Sequence, residues 1–348
     1  MMAKRYTIRL GKERFQAEAG ELLLDAALSN GVDLPHDCRA GHCGSCVVEV
    51  EEGRVLGGRT RQKGCVHACR AHVFSDLKLN VEPMPESRTI EARVAEVRTL
   101  VERVSEVTIR AETPFPHIAG QYYRFRFKGY PARAFSPTAP FEGHDDPQTL
   151  RLHIKAVRNG RVTSEIGSGI RAGHAVTLEG PFGRSYLRSG QTSRLVLVGS
   201  GTGFAPVWAV ADAALREWPL RPIVLMAGAS RLASLYMAPL LARAATCPNV
   251  AVMATVSEPQ TVAPWVGCGC PVDSLPPMQA GDLVYAAGSP DMVEKAGGLA
   301  EAAGARFYAD PFVDNGPDGE SLLDQLKSSA GSTAKQAASL LGRLAQGR

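Results

Sequence analysis

The chain has 348 residues, 45% of them hydrophobic and 21% charged, and its 39 basic and 35 acidic side chains leave a formal net charge of +4. That length accommodates two or three domains, each with its own core, and so small and scattered an excess of charge gives no footprint for nucleic acid or a membrane surface. The opening MMAKRYTIRL runs directly into GKERFQAEAG, which supplies neither an apolar signal core nor an uncharged membrane-length stretch, so a cytoplasmic protein without a membrane span is expected.

Residues 5–10 and 13–18 read as two strands around a turn at Gly11-Lys12, and the apolar spacing of ELLLDAALSNG reads as a helix closed by Gly31. Of the eight cysteines, Cys38, Cys43, Cys46, Cys65 and Cys69 crowd together, which points to a metal site ahead of disulfides in a reducing compartment. Cys38-Arg39-Ala40-Gly41-His42-Cys43-Gly44-Ser45-Cys46 has the C-x4-C-x2-C spacing of a plant-type [2Fe–2S] loop. Its small residues let backbone N–H groups approach the sulfides, and Gly41 and Gly44 admit unusual φ values. Structural zinc is the competing reading, but it commonly pairs two C-x2-C knuckles where this loop has one. A fourth thiolate comes from Cys65 or Cys69 in KGCVHACRA, and spacing does not choose between them. CVVEVEEGRV and LKLNVEP add strands, giving a small β-rich module over residues 1–86.

Over residues 90–190 apolar and polar residues alternate in IEARVAEVRTL, VTIRAE, YYRFRF, LRLHIKAV and AVTLEG, the pattern of an antiparallel barrel. From 193 to 312 apolar strands alternate with helical segments, in RLVLVGSG, RPIVLMAGAS, NVAVMATVSE and DLVYAAGSP, as in an open parallel α/β sheet. The first of these strands enters Gly199-Ser200-Gly201-Thr202-Gly203 and then a helix, a turn that lets a pyrophosphate approach the helix N-terminus; Phe204 stands where the dinucleotide fingerprint has its third glycine. Residues 313–348, rich in Gly, Ser and Ala, read as a flexible or marginally helical tail.

Five phrases within the barrel region occur in a telling order: Gly120-Gln121-Tyr122, Arg133-Ala134-Phe135-Ser136, His153-Ile154-Lys155, Gly160-Arg161-Val162-Thr163 and Gly180-Pro181-Phe182-Gly183. They resemble the flavin barrel of the ferredoxin–NADP reductase superfamily. With the cysteine loop in front, residues 5–312 resemble the reductase components of bacterial ring-hydroxylating dioxygenases and related monooxygenases, such as the naphthalene, terephthalate and xylene systems. The resemblance implies a multidomain α+β and α/β chain: a β-grasp ferredoxin domain, an antiparallel flavin-binding β-barrel and a parallel α/β nicotinamide-binding domain.

It also implies roles for residues. Ala68-Cys69-Arg70-Ala71 matches the family's A-C-Q-A phrase, so Cys38, Cys43, Cys46 and Cys69 would hold the [2Fe–2S] cluster. FAD is expected, because an iron–sulfur domain placed first goes with FAD in this family. Arg133 would pair with its phosphate, Ala134 and Phe135 would pack at the isoalloxazine without the usual tyrosine hydroxyl, and Ser136 would reach towards N5. His153, Ile154 and Lys155 would line the flavin, while Gly160, Val162 and Thr163 would offer donors to the pyrophosphate. Gly199, Gly201, Thr202, Gly203, Gly228, Gly288 and Met292 would shape the nicotinamide site, with Ala287 in place of the family's cysteine. Ser230 and Arg231 suit a 2′-phosphate and Glu258 repels one, so NADH is expected. Phe312, in the closing D-x-F phrase, would lie at the flavin face, and with Ser136 and Thr202 it completes the candidate catalytic set.

The function so implied is hydride transfer from NADH to FAD, then single electrons through the cluster to a Rieske or other iron oxygenase, directly or through a separate ferredoxin, by a monomeric protein. Rival readings are a reductase for a deoxysugar dehydratase, a stand-alone NAD(P)H oxidase or diaphorase, and a non-enzymatic zinc-binding module. Cys247, Cys268 and Cys270 match nothing in the family and read as free thiols.

Overall fold

The computed structural model describes residues 4–36, 39–41, 44–82, 86–141, 146–258 and 265–312. The expectation for the tail 313–348 lies outside them. The described residues fall within one compact unit that contains three six-stranded sheets.

The first sheet begins with the expected hairpin, β1 (Arg5–Leu10) and β2 (Glu13–Glu18), turning through Gly11 at φ +57°. Helix α1 (Leu23–Ser29) buries Leu23, Leu24, Ala26 and Ala27, and it ends where Asn30 Nδ2 donates to the Ala26 carbonyl and Gly31 turns left-handed at φ +75°. The remaining strands are β3 (Val47–Glu52), β4 (Val55–Arg59), β5 (Cys65–Val73) and β6 (Leu77–Asn80), in the order β2-β1-β6-β3-β5-β4. Only β1 and β6 pair in parallel. A helix packed on such a mixed sheet is the β-grasp arrangement. β5 is more than a ligand-bearing segment: it buries Ala68, Ala71 and Val73 in the core beneath α1.

The second sheet comprises β7 (Arg88–Val101), β8 (Val104–Ala111), β9 (Tyr122–Phe127), β10 (Arg133–Phe135), β11 (Thr149–Lys155) and β12 (Ala175–Phe182). Its order is β10-β9-β12-β7-β8-β11, antiparallel throughout. A bridge between Thr138 and Arg151 brings the two ends together into a barrel. The inward positions, among them Tyr123, Phe125, Phe127, Ile109 and Leu152, fill it.

The third sheet is fully parallel. It contains β13 (Leu195–Ser200), β14 (Ile223–Ala229), β15 (Val250–Val256), β16 (Val266–Cys268), β17 (Leu283–Gly288) and β18 (Arg306–Pro311), ordered β16-β15-β14-β13-β17-β18. Its central strands β13, β14 and β17 are almost wholly apolar because both faces are covered: Leu195 and Leu197 join one core, Val196 and Val198 the other. Helices α2 (Phe204–Glu217), α3 (Ala238–Ala244) and α4 (Pro290–Ala303) supply the cover. The chain runs outward from β13 to β16 and then crosses back to β17, so the direction reverses between β13 and β17. Ligands of open α/β sheets bind at such a point.

Side chains join the sheets. His153 on β11 lies 3.3 Å from Glu106 of β8 and 3.2 Å from the Tyr236 hydroxyl, which precedes α3. Arg61, after β4, pairs with Glu294 and Glu301 of α4 and lies over Gly297. Glu82, just beyond β6, is held by Arg184 and Arg188, which follow β12. No helix among the described residues is long and apolar enough to cross a membrane.

The tightest point is at the reversal, where a Cβ on Gly203 would meet the Ala287 carbonyl oxygen at 2.4 Å and the Gly288 Cα at 2.4 Å. Gly203→Ala is therefore expected to lower stability by about 1–3 kcal/mol through overpacking. A melting temperature unchanged from the parent would contradict this packing.

Candidate functional site

Among the described residues of the cysteine loop, Arg39, Gly41 and Gly44 all have positive φ, at +51°, +80° and +71°. This is the tight winding the glycines were expected to allow. The loop delivers Cys46, and the Cys46 and Cys69 sulfurs lie 3.3 Å apart, both buried. The neighbouring Cys69 sulfur, and then burial, raise the Cys46 thiol well above its ordinary range. Cys65, four residues earlier on β5, is also buried but sits in the field of Glu49, Arg184 and Glu82. Cys38 and Cys43 lie outside the described residues. Ser45, beside Cys46, is buried with an Oγ that has no partner among the described residues. An orphaned donor at this position fits a centre whose sulfides accept hydrogen bonds.

On the barrel, Arg133 on β10 donates to the Ala132 carbonyl at 2.9 Å, and burial together with nearby Arg161 moves its guanidinium below its usual range. Two cations brought near each other suit an anion such as a pyrophosphate. The Gly160 N–H closes onto the Val157 carbonyl at 3.0 Å, so the donors left to that turn are those that follow, at Val162 and Thr163. Beside it opens a cavity of about 550 Å³ lined by Arg126, Lys128, Tyr130 and Arg161. Ala134 is exposed, and the half-buried Phe135 ring packs 5.8 Å from that of Phe125.

Some named residues are corrected by their surroundings. The His153 side chain is committed to Glu106 and Tyr236, while Ile154 and Val162 fill the barrel core, so only backbone groups of these three remain to face a flavin. Met292, on the first turn of α4, has its side chain buried in the core behind β17. Lys155 is exposed at the end of β11.

The barrel and the parallel sheet meet at Ser136. Its Oγ donates to Asp310 Oδ2 at 2.8 Å, and Asp310 lies on β18 directly opposite Ala287. Desolvation raises the Asp310 carboxyl to about 6, outweighing the opposing effect of the Ser136 hydrogen bond. Asp310 received no role from the sequence; its D-x-F context was the available signal, and its partner lies 174 residues away. Two residues on, the Phe312 N–H donates to the Gly288 carbonyl at 2.7 Å, leaving a ring that is 37% exposed.

Gly199, Gly201, Thr202 and Gly203 form the turn from β13 into α2, and a Cβ on Gly288 would meet Ser200 Oγ at 2.4 Å. Ser289 N–H donates to that same Oγ at 2.9 Å, tying the two turns together. Gly228, at the end of β14, is covered by Pro271. At the outer end, Arg231 lies 3.9 Å from Glu258, both half exposed, and the Glu258 N–H donates to the Ser230 carbonyl at 2.9 Å.

Residues 8–74 match the family model of the 2Fe-2S iron-sulfur cluster binding domain, and residues 93–186 that of the oxidoreductase FAD-binding domain. The chain is 30% identical over 316 residues to the ferredoxin–NAD(P)+ reductase component of the naphthalene 1,2-dioxygenase system of Pseudomonas putida, covering 86% of this chain and 95% of that one. It is 29% identical to the reductase component of phenol 2-monooxygenase from Pseudomonas sp. strain CF600, over 76% and 80% of the two chains. Among solved structures, an Amycolatopsis cytochrome P450 reductase superposes with a TM-score of 0.65 at 26% identity, over 89% of this chain and 99% of that one. The ferredoxin reductase of carbazole 1,9a-dioxygenase gives 0.61 at 24% identity, over 90% and 100%, a likeness of fold. Matched by both domain models and, at 30% identity, along nearly the whole of a relative, this chain belongs to the family of iron–sulfur flavoprotein reductase components that serve bacterial oxygenase systems.

Proposed function

We propose that the protein is the NADH-dependent reductase of a cytoplasmic oxygenase system for aromatic-hydrocarbon catabolism, working as a monomer. Electrons would leave for a Rieske or other iron oxygenase, directly or through a ferredoxin. The domains are read as residues 1–86 for the cluster, 90–190 for FAD and 193–312 for NADH. When bound, FAD accepts a hydride from NADH and releases its electrons singly to the [2Fe–2S] centre. The observation that carries this reading is the Ser136–Asp310 hydrogen bond, which joins the barrel to the parallel sheet at the strand ends where a donor and an acceptor ring have to meet.

The residues hold and orient; none has to make or break a covalent bond. Cys38, Cys43, Cys46 and Cys69 bind the irons, a choice supported by the 3.3 Å separation of the Cys46 and Cys69 sulfurs. Arg133 and Arg161 draw the flavin phosphates to the barrel, supported by their mutual proximity. Gly199, Gly201, Gly203 and Gly288 let a dinucleotide approach the β13–β17 reversal, with Thr202 and Phe312 against the nicotinamide. The iron assignment has a direct check: Cys69→Ser should lose most iron and the red-brown absorption, and Cys65→Ser should keep both. The reverse result would exchange the two roles.

Asp310 supplies a pH dependence. Above about pH 6 it is ionised and accepts a hydrogen bond from the Ser136 hydroxyl; below that it is neutral and can donate one to Ser136, leaving that hydroxyl free to donate to an acceptor at the flavin edge. Bleaching of flavin by NADH is therefore expected to quicken as pH falls through about 6, and stopped-flow traces of Asp310→Asn should lose that dependence. A parent profile that is flat between pH 5 and 7 would remove Asp310 from the mechanism.

Coenzyme choice rests on the pairing of Arg231 with Glu258. The carboxylate repels a 2′-phosphate and occupies the cation that would bind one. Glu258→Gln is expected to raise kcat/KM for NADPH relative to NADH by about tenfold, the equivalent of roughly 1.4 kcal/mol. An unchanged ratio would place the discrimination elsewhere.

A further inference from the structure

Three charged side chains meet where the first sheet joins the barrel. Arg188 grips Glu82 with both ends of its fork, Nε 3.2 Å from Oε1 and Nη2 2.9 Å from Oε2. Its guanidinium lies between the rings of Tyr186 and Tyr308, 3.8 and 3.9 Å from their centroids. Glu82 and Arg188 thus satisfy one another. Arg184 holds only the margin of the same carboxylate, with Nη1 3.8 Å from Oε2 and Nη2 donating to the Glu82 backbone carbonyl at 3.3 Å. Its buried Nε has no partner among the described residues. Two cations against one anion leave the joint with an excess of one positive charge.

That excess adjoins the cysteine loop. A Cβ on Gly44, which stands between Cys43 and Cys46 in the chain, would lie 3.9 Å from the Arg184 Cβ, and the field of Arg184 also reaches Cys65 on β5. Glu49 acts on Cys65 as well, but it is exposed and solvated. Arg184 is only 12% exposed, so water screens its charge little. Reduction adds one negative charge to a [2Fe–2S] centre, and a fixed cation beside it favours the reduced form.

We propose that Arg184, a barrel residue, sets the reduction potential of the neighbouring iron–sulfur centre by holding uncompensated positive charge against its loop, with Glu82 limiting how much of that charge is felt. This rests on the cluster reading above, deepens it, and makes Arg184 a positioning residue without contact to the irons.

The test is a redox titration of full-length holoprotein, following the cluster by visible absorption and electron paramagnetic resonance, with iron content measured on each sample. Arg184→Gln should lower the reduced-to-oxidised ratio at a fixed potential by about tenfold, a downward shift of about 59 mV for one electron. Arg184→Lys should stay near the parent, and Glu82→Gln should shift upward. If the glutamine variant fails to retain its cluster, Arg184→Met gives the same reading. Opposite shifts in the Arg184 and Glu82 variants support the proposal, because disruption of the joint alone would move both the same way. Shifts of the same sign, or none in the uncharged Arg184 variant, overturn it. Absence of iron from the parent would instead overturn the cluster assignment.

Discussion

Everything in this molecule that has to be held at a distance depends on the seating of Arg188. Taking a guanidinium out of water is costly, and the cost is offset only when each of its donors finds an acceptor. Here it has a bidentate carboxylate, the carbonyls of Arg184 and Tyr186 at 2.6 Å each, and two aromatic faces. Those partners come from three different sheets: Glu82 follows the first, Tyr186 follows the last barrel strand, and Tyr308 lies on β18 of the parallel sheet. One side chain therefore touches residues from all three sheets at a single point. Transfer between centres depends steeply on separation, so this anchoring constrains function as well as stability.

The same strand carries the constraint onward. β18 presents Tyr308 to Arg188, Asp310 to Ser136, and its end to Gly288 through the Phe312 N–H. The strand thus ties the domain joint to the glycine crevice between β13 and β17. The aromatic pair Tyr285 and Tyr308, stacked at 4.9 Å, stiffens that strand against its neighbour β17.

Much of this was legible in the chain because local chemistry was strong. The period-two alternation of YYRFRF, the unbroken apolar runs of the parallel strands and the cysteine spacing each report a constraint that acts within a few residues. The elements missed were those whose formation is decided elsewhere. β16 has three residues with Cys-Gly-Cys beside them, β10 has three, and β18 reads RFYADP, polar and ending in proline. Each becomes a strand because a more strongly apolar neighbour offers it a ladder. His153, Ile154, Val162 and Met292 were placed at the ligand by their motifs, but there the backbone is what the motif positions, and the side chains turn to the core or to another domain. The Asp310–Ser136 and Glu82–Arg188 pairs are invisible to any local reading, since 174 and 106 residues separate their members.

The first sheet has a second attachment of quite different character. Arg61 reaches across to Glu294 and Glu301 on α4, carboxylates that are 75% and 57% exposed, and it can lie flat there because Gly297 has no side chain. Exposed pairs of this kind are worth only about 0.2–1 kcal/mol and weaken further as salt is added. The grip on Glu82 is less open to such weakening, because the Arg188 end of the pair is only 6% exposed. The iron–sulfur module therefore meets the rest of the chain through two ionic joints of unequal exposure, and dissolved salt bears harder on the outer one at Arg61 than on the inner one at Arg188.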